Sequence, residues 1–88
     1  MEAQIEFYPL IERELPGTPD IEQVGVMRVL GESPGWDVAR CLVVEEWDDE
    51  AGATVTHREM SPRGEVLPCS AAIVGARDLA RDLGFEVG

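Results

Sequence analysis

Apolar positions change their spacing about two thirds of the way along this 88-residue chain. Up to Met60 they come in short runs rich in β-branched and aromatic residues, cut by clusters of Gly, Pro and Asp. That is the signature of strands and turns. Four runs stand out: Gln4 to Glu14 (QIEFYPLIERE), Ile21 to Leu30 (IEQVGVMRVL), Asp37 to Trp47 (DVARCLVVEEW) and Ala53 to Met60 (ATVTHREM). The breakers LPGTPD, GESPGW and DDEAG are too short for crossover connections. They predict antiparallel hairpins in series, a meander. Pro9 cannot donate to a ladder, so the first strand belongs at an edge or carries a bulge. The short, polar, Arg-bearing fourth strand has the character of the other edge.

After Pro68 the period lengthens. In CSAAIVGARDLARDLG, the residues Cys69, Ala72, Ile73, Ala76, Leu79, Ala80 and Leu83 share one face at helical spacing. Arg77, Asp78, Arg81 and Asp82 take the other, with Val74 among them. Pro68 suits the first turn and Gly84 the position just past the end. Phe85 is placed to fold back over the last turn. The expected architecture is α+β: residues 1–88 as a single domain, a four-stranded antiparallel β-meander with one C-terminal α-helix packed on one face (ββββα).

This pattern leaves apolar surface to spare. In the second strand Val24, Val26 and Leu30 oppose Ile21, Met27 and Val29. In the third, Val38, Leu42 and Val44 oppose Ala39, Cys41 and Val43. One helix covers one face. The other is expected to meet a second copy or a larger partner, or else to lie under SPRGEVLP and the termini.

Composition narrows the function classes. A hydrophobic share of 44% is too high for a disordered chain. The net charge of -11 repels phosphates and anionic lipid, so neither nucleic acid nor a membrane surface is expected as a direct partner. No apolar stretch reaches membrane-spanning length, and MEAQIEFYPL lacks the basic start and apolar run of a signal peptide. The expectation is a soluble, cytoplasmic protein. All seven basic residues are Arg, which suits bidentate contacts at partner surfaces.

The charge is unevenly placed. In a meander the turn flanked by Glu12, Glu14, Asp20 and Glu22 lies at the same end of the sheet as the turn flanked by Glu45, Glu46, Asp48, Asp49 and Glu50. Nine of the eighteen acids thus gather at one pole, with Arg13 as the only basic residue in those stretches. Trp47, inside EEWDDE, belongs at the rim. The pole reads in three ways: a solvated end that keeps the chain soluble, a docking surface for a basic protein, or a divalent metal site. The calcium-loop order D-x-[DN]-x-[DN]-G is absent, so no metal is expected. These nine acids and Trp47 are the candidate partner-binding residues.

Catalytic chemistry has few carriers. His57 is the sole histidine, on an edge strand. Cys69 lies near the helix start, where the helix dipole lowers a thiol pKa, and a Cys69–His57 pair is the one nucleophile–base combination to consider. A thiol on an apolar helical stripe is more often a small core residue, and Cys41 reads as core. Two distant cysteines without a secretory signal predict no disulfide. No G-x-S-x-G, phosphate loop, dinucleotide fingerprint or zinc spacing is present, so neither cofactor nor enzymatic activity is expected. The leading expectation is a small acidic protein-binding module or regulator, including an inhibitor that docks on a basic, nucleic-acid-binding surface of its partner. A homo-oligomeric accessory protein, a homodimer through its sheet face, is the alternative. A small enzyme with a site at a dimer interface is the third class.

Overall fold

The structure, a computed structural model, describes residues 4–30 and 35–87. The turn expected across 31–34 lies outside the described residues. Strands β1 (Gln4–Glu14), β2 (Ile21–Leu30), β3 (Gly35–Asp48) and β4 (Ala53–Pro62) precede one helix, α1 (Cys69–Asp82). The sheet order is β1-β2-β3-β4, every neighbour antiparallel, so the meander and the ββββα order are as the sequence pattern predicts. β3 and β4 run longer than their apolar runs because pairing continues past them, from Arg28↔Trp36 and Val29↔Gly35 at one end to Ala39↔Pro62 on the other side.

Pro9 is accommodated in both expected ways. β1 is an edge, and its register with β2 shifts between Pro9 and Ile11, leaving Leu10 as the extra residue of a bulge. Opposite Pro9 stands Gly25, where a Cβ would lie 2.1 Å from the Tyr8 carbonyl oxygen. Only glycine allows that approach.

Helix α1 lies across β2 and β3 on one face of the sheet. The core it closes is Val24, Val26 and Val38 from the strands, Ala72, Ala76 and Ala80 from the helix, and Phe85 beyond it. The alanines make a narrow i, i+4 stripe that brings the helix axis close to the sheet, with Ile73, Leu79 and Leu83 half-buried on its flanks. At Gly75 a Cβ would stand 3.2 Å from Val38 Cγ1, so the approach is tight there too. Pro68 is the residue before the first turn, where its carbonyl accepts the Ala72 N–H at 2.9 Å. At the far end Gly84 takes a φ of 86°. Its N–H reaches the Arg81 carbonyl at 3.0 Å and the Phe85 N–H reaches the Ala80 carbonyl at 2.9 Å. This paired closure needs a left-handed residue, and it turns Phe85 back into the core.

Two expectations are corrected. Cys69 is exposed rather than part of the core, because the first helical residue has nothing packed over it; burial of the stripe begins at Ala72. Leu42 and Val44 share the helix-facing side with Val38, yet stay half-buried because α1 does not reach them. The side chains of Val29 and Leu30, expected on opposite faces, lie outside the described residues.

On the face away from the helix, Met27, Ala39 and Cys41 are buried, and Phe7, Ile21, Val43 and Met60 are half-buried. The segment after β4 covers one end of this face. Arg63 N–H donates to the Val38 carbonyl, Leu67 N–H to the Trp36 carbonyl and Gly64 N–H to Asp37 Oδ2. Among the described residues, no helix or second sheet packs over the rest of that face.

Candidate interaction surface

Register decides the shape of the acidic pole. Ile21, the first residue of β2, pairs with Val43, so residues 44–48 of β3 have no neighbour on that side and pair only with β4, from Val44↔His57 to Asp48↔Ala53. The β3–β4 hairpin therefore projects beyond the rest of the sheet by five residues, roughly 16 Å at the rise of a strand. Its tip closes through Gly52, at a φ of 63°, whose N–H donates to the Asp48 carbonyl at 2.9 Å. Asp48 Oδ1 accepts the Glu50 N–H at 2.9 Å and the Ala51 N–H at 3.3 Å. Such a side-chain cap is what an Asp before a turn supplies.

Trp47 is 66% exposed on this projection, and its indole N–H donates to Asp49 Oδ1 at 3.0 Å. Two acids of the tip thus have local tasks, Asp48 in the turn and Asp49 on the indole. Glu45, Glu46 and Glu50 have none beyond the 3.7 Å approach of His57 Nε2 to Glu46. Among the described residues no arginine lies within ion-pair distance of any of these five carboxylates.

The other four acids divide. Both turns do lie at one end of the sheet, as the strand order requires. Glu14 is exposed, Asp20 is half-buried in the first turn, and Glu12 accepts the Gln23 amide at 3.1 Å. Glu22 departs from its expected place. Its side chain is 3% exposed, on the helix-facing side, with Arg13 Nη2 at 3.0 Å and Arg40 Nε at 2.7 Å. It is an interior ion-pair anchor, unavailable to a partner. Arg40 arrives from β3 through the Val24↔Arg40 pairing, which sequence spacing does not announce.

The candidate catalytic pair is not assembled. His57 pairs with Val44 near the acidic end, while the helix start follows Leu67, which bridges to Trp36. Eight residues along β3 separate those levels, about 26 Å. His57 borders a cavity of about 400 Å³ with Leu42, Val44, Glu46, Arg58 and Glu59, beyond the reach of α1 and without a nucleophile. Among the described residues no three His, Cys, Asp or Glu side chains are grouped as metal ligands.

Sequence reasoning missed a second surface feature. At the opposite end of the sheet, on the helix-free face, a cavity of about 250 Å³ is lined by Met27, Gly35, Asp37, Pro62, Gly64 and Val66 among others. Asp37 is 8% exposed; its Oδ2 accepts the Gly64 N–H at 2.6 Å, and its buried Oδ1 has no donor. Only the apolar run after Asp37 hinted that this acid starts a buried strand.

No family model, curated protein sequence or solved structure matches this chain. No helix among the described residues is long and apolar enough to cross a membrane.

Proposed function

We propose that this protein is a non-enzymatic binding module that sets its projecting acidic hairpin on a basic surface of a partner protein. The carboxylates of Glu45, Glu46 and Glu50 make the contact, flanked by Glu14 and Asp20. The surface they fit is an arginine- or lysine-rich one that ordinarily takes phosphates, so occupancy by this protein inhibits nucleic-acid binding there. The observation that carries the reading is the projection itself. Five carboxylates are carried on a hairpin that reaches roughly 16 Å beyond the sheet, and among the described residues no arginine is paired to them. A charge cluster on a narrow, extended tip reaches into a groove that a flat acidic face cannot enter, and the field of the whole chain steers the encounter. The two free thiols, Cys41 and Cys69, suit the reducing cytoplasm in which we place it.

The test replaces Glu45, Glu46 and Glu50 with Gln together and leaves Asp48 and Asp49 to hold the turn and the indole. Immobilised wild-type and variant proteins are compared for capture from a native lysate, at low and at physiological salt, with and without competing nucleic acid. Wild-type capture is expected to fall with salt, to fall with competitor, and to drop at least tenfold in the variant. Capture indifferent to salt and to the three substitutions removes the proposal.

A further inference from the structure

The exposed indole and the far cavity share one face of one strand. Side-chain alternation along β3 puts Cys41, Val43, Glu45 and Trp47 on the helix-free side together with Gly35 and Asp37. Trp47 is 66% exposed near one end of that line. The cavity bounded by Met27, Asp37, Pro62 and Val66 lies at the other end. Its walls are mostly apolar, and its volume of about 250 Å³ is below the range of a typical ligand pocket and within that of a single large side chain. Midway between them on β3 is Cys41.

We infer that the helix-free face is a self-association surface, on which Trp47 of one copy seats in the Met27–Asp37–Val66 cavity of a second copy. A two-fold axis across the strands at Cys41 carries position 47 onto the level of positions 35–37, because both features lie on β3 at equal distances from it. The contact is therefore made twice, as an isologous interface requires. The two sheets stack face to face, about 10 Å apart, with their strands antiparallel. Phe7, Ile21, Val43 and Met60, half-buried in the single chain, are closed between them.

Surface area supports a partner of this size. The chain exposes 6236 Å². A folded chain of its mass exposes about 5,100 Å², so about 1,100 Å² is in excess, shared between the projecting hairpin and the helix-free face. A standard interface takes about 800 Å² from each side. The chain is only 15 Å thick across its shortest axis, the profile of a sheet with one face unclad. Charge selects the antiparallel arrangement. It sets the two acidic tips at opposite extremities and keeps the two -11 chains from abutting at their acidic ends.

This surface shares Glu45 with the carboxylate contact proposed above, and the two contacts are told apart because they respond to salt in opposite senses. Screening weakens an acidic tip on a basic partner, and it strengthens association between two chains of like charge. Sedimentation of the purified protein is measured over a concentration series at low and high salt, for wild type, Trp47→Ala and Val66→Glu. Both substituted positions are exposed, so each variant is expected to fold. Wild type forms dimers favoured by high salt, and each variant associates at least tenfold more weakly. A mixture of the two variants associates more tightly than either alone, because Trp47 of one still meets an intact cavity on the other. Acrylamide quenching of Trp47 falls as wild type is concentrated. A wild-type monomer at millimolar concentration in high salt overturns the inference. So do dimers that survive both substitutions, and a mixture no tighter than its components.

Discussion

The guanidinium of Arg13 sits over the ring of Phe85, its Cζ 4.1 Å from the ring centroid. The same guanidinium donates to Glu22 Oε2 from Nε at 3.2 Å and Nη2 at 3.0 Å, while Arg40 holds Oε1 at 2.7 Å. One interior carboxylate thus ties β1, β2 and β3 together, and through Arg13 it fixes the turn that follows the helix. Cation–π contact and ion pair support each other, since the pair sets the guanidinium at the height the ring needs.

The arrangement predicts an asymmetry. The Arg13 and Arg40 side chains are 38% and 48% exposed, and the Glu22 side chain 3%. Arginines deprived of Glu22 turn to water; a Glu22 deprived of its arginines cannot. Glu22→Gln is expected to cost about 2 kcal/mol, the worth of hydrogen bonds to a charged group. The Arg13→Ala, Arg40→Ala double variant is expected to cost about 3–5 kcal/mol, because it strands a buried charge. Urea unfolding of both variants measures the difference, and equal losses would refute it.

Two glycines separate close approach from backbone conformation. Gly25→Ala drives a Cβ to 2.1 Å from the Tyr8 carbonyl oxygen and 2.9 Å from Pro9 Cα, so backbone must move at the bulge. A loss of about 3 kcal/mol is expected. Gly52→Ala meets nothing within 4 Å and carries only the strain of its φ of 63°, about 1–2 kcal/mol. Chemical denaturation of the two variants should rank them in that order, and the reverse order would place the tight contact elsewhere.

The fold was legible because its signals were local. Turn chemistry bounded each strand, and the change of apolar spacing after Pro68 marked the helix. Pro9 pointed to both the edge and the bulge. Side-chain burial was less legible because it depends on register. Glu22 looks like one more acid beside a turn until β2 is set against β3 and Arg40 stands near it. Cys69 keeps helical spacing with Ala72 and Ala76 but falls one turn outside the covered length. The acidic pole could be placed from strand order, whereas its projection could not: nothing in EEWDDE says that β2 begins opposite Val43. The cavity at Asp37 depends on Val66 meeting Gly35, a contact between segments about thirty residues apart.

The two thiols should differ sharply in reactivity. Cys41 is fully buried and Cys69 exposed, and burial pushes the Cys41 thiol above its ordinary value of 9.0, with Arg58 opposing weakly. A disulfide reagent at neutral pH is expected to label one thiol quickly, with Cys69→Ser abolishing that phase, and the second only as the protein unfolds. The raised folded pKa stabilises the native state fully below the unfolded value, and that contribution is lost as pH rises toward the folded one. Cys41→Ala should therefore flatten the decline in stability above about pH 9. Rapid labelling of both thiols in native protein would contradict the burial.

The projecting hairpin should open without the rest of the sheet. Residues 44–48 and 53–57 hold each other but lack a third strand, and their side chains are mostly exposed. Two strands alone are marginal in water, so the free energy to open this segment lies well below that of global unfolding. Amide exchange in β2 should require global unfolding, while amides beyond Val44 exchange through local opening at least a hundredfold faster. Asp48→Ala, which removes the acceptor for the Glu50 and Ala51 N–H groups, should speed exchange in the hairpin and leave β2 nearly unchanged. Mobility of this kind suits a tip that adapts to a partner's surface. Uniform protection from Val43 to Asp48 in the monomer would instead describe a rigid spike, its geometry fixed before contact.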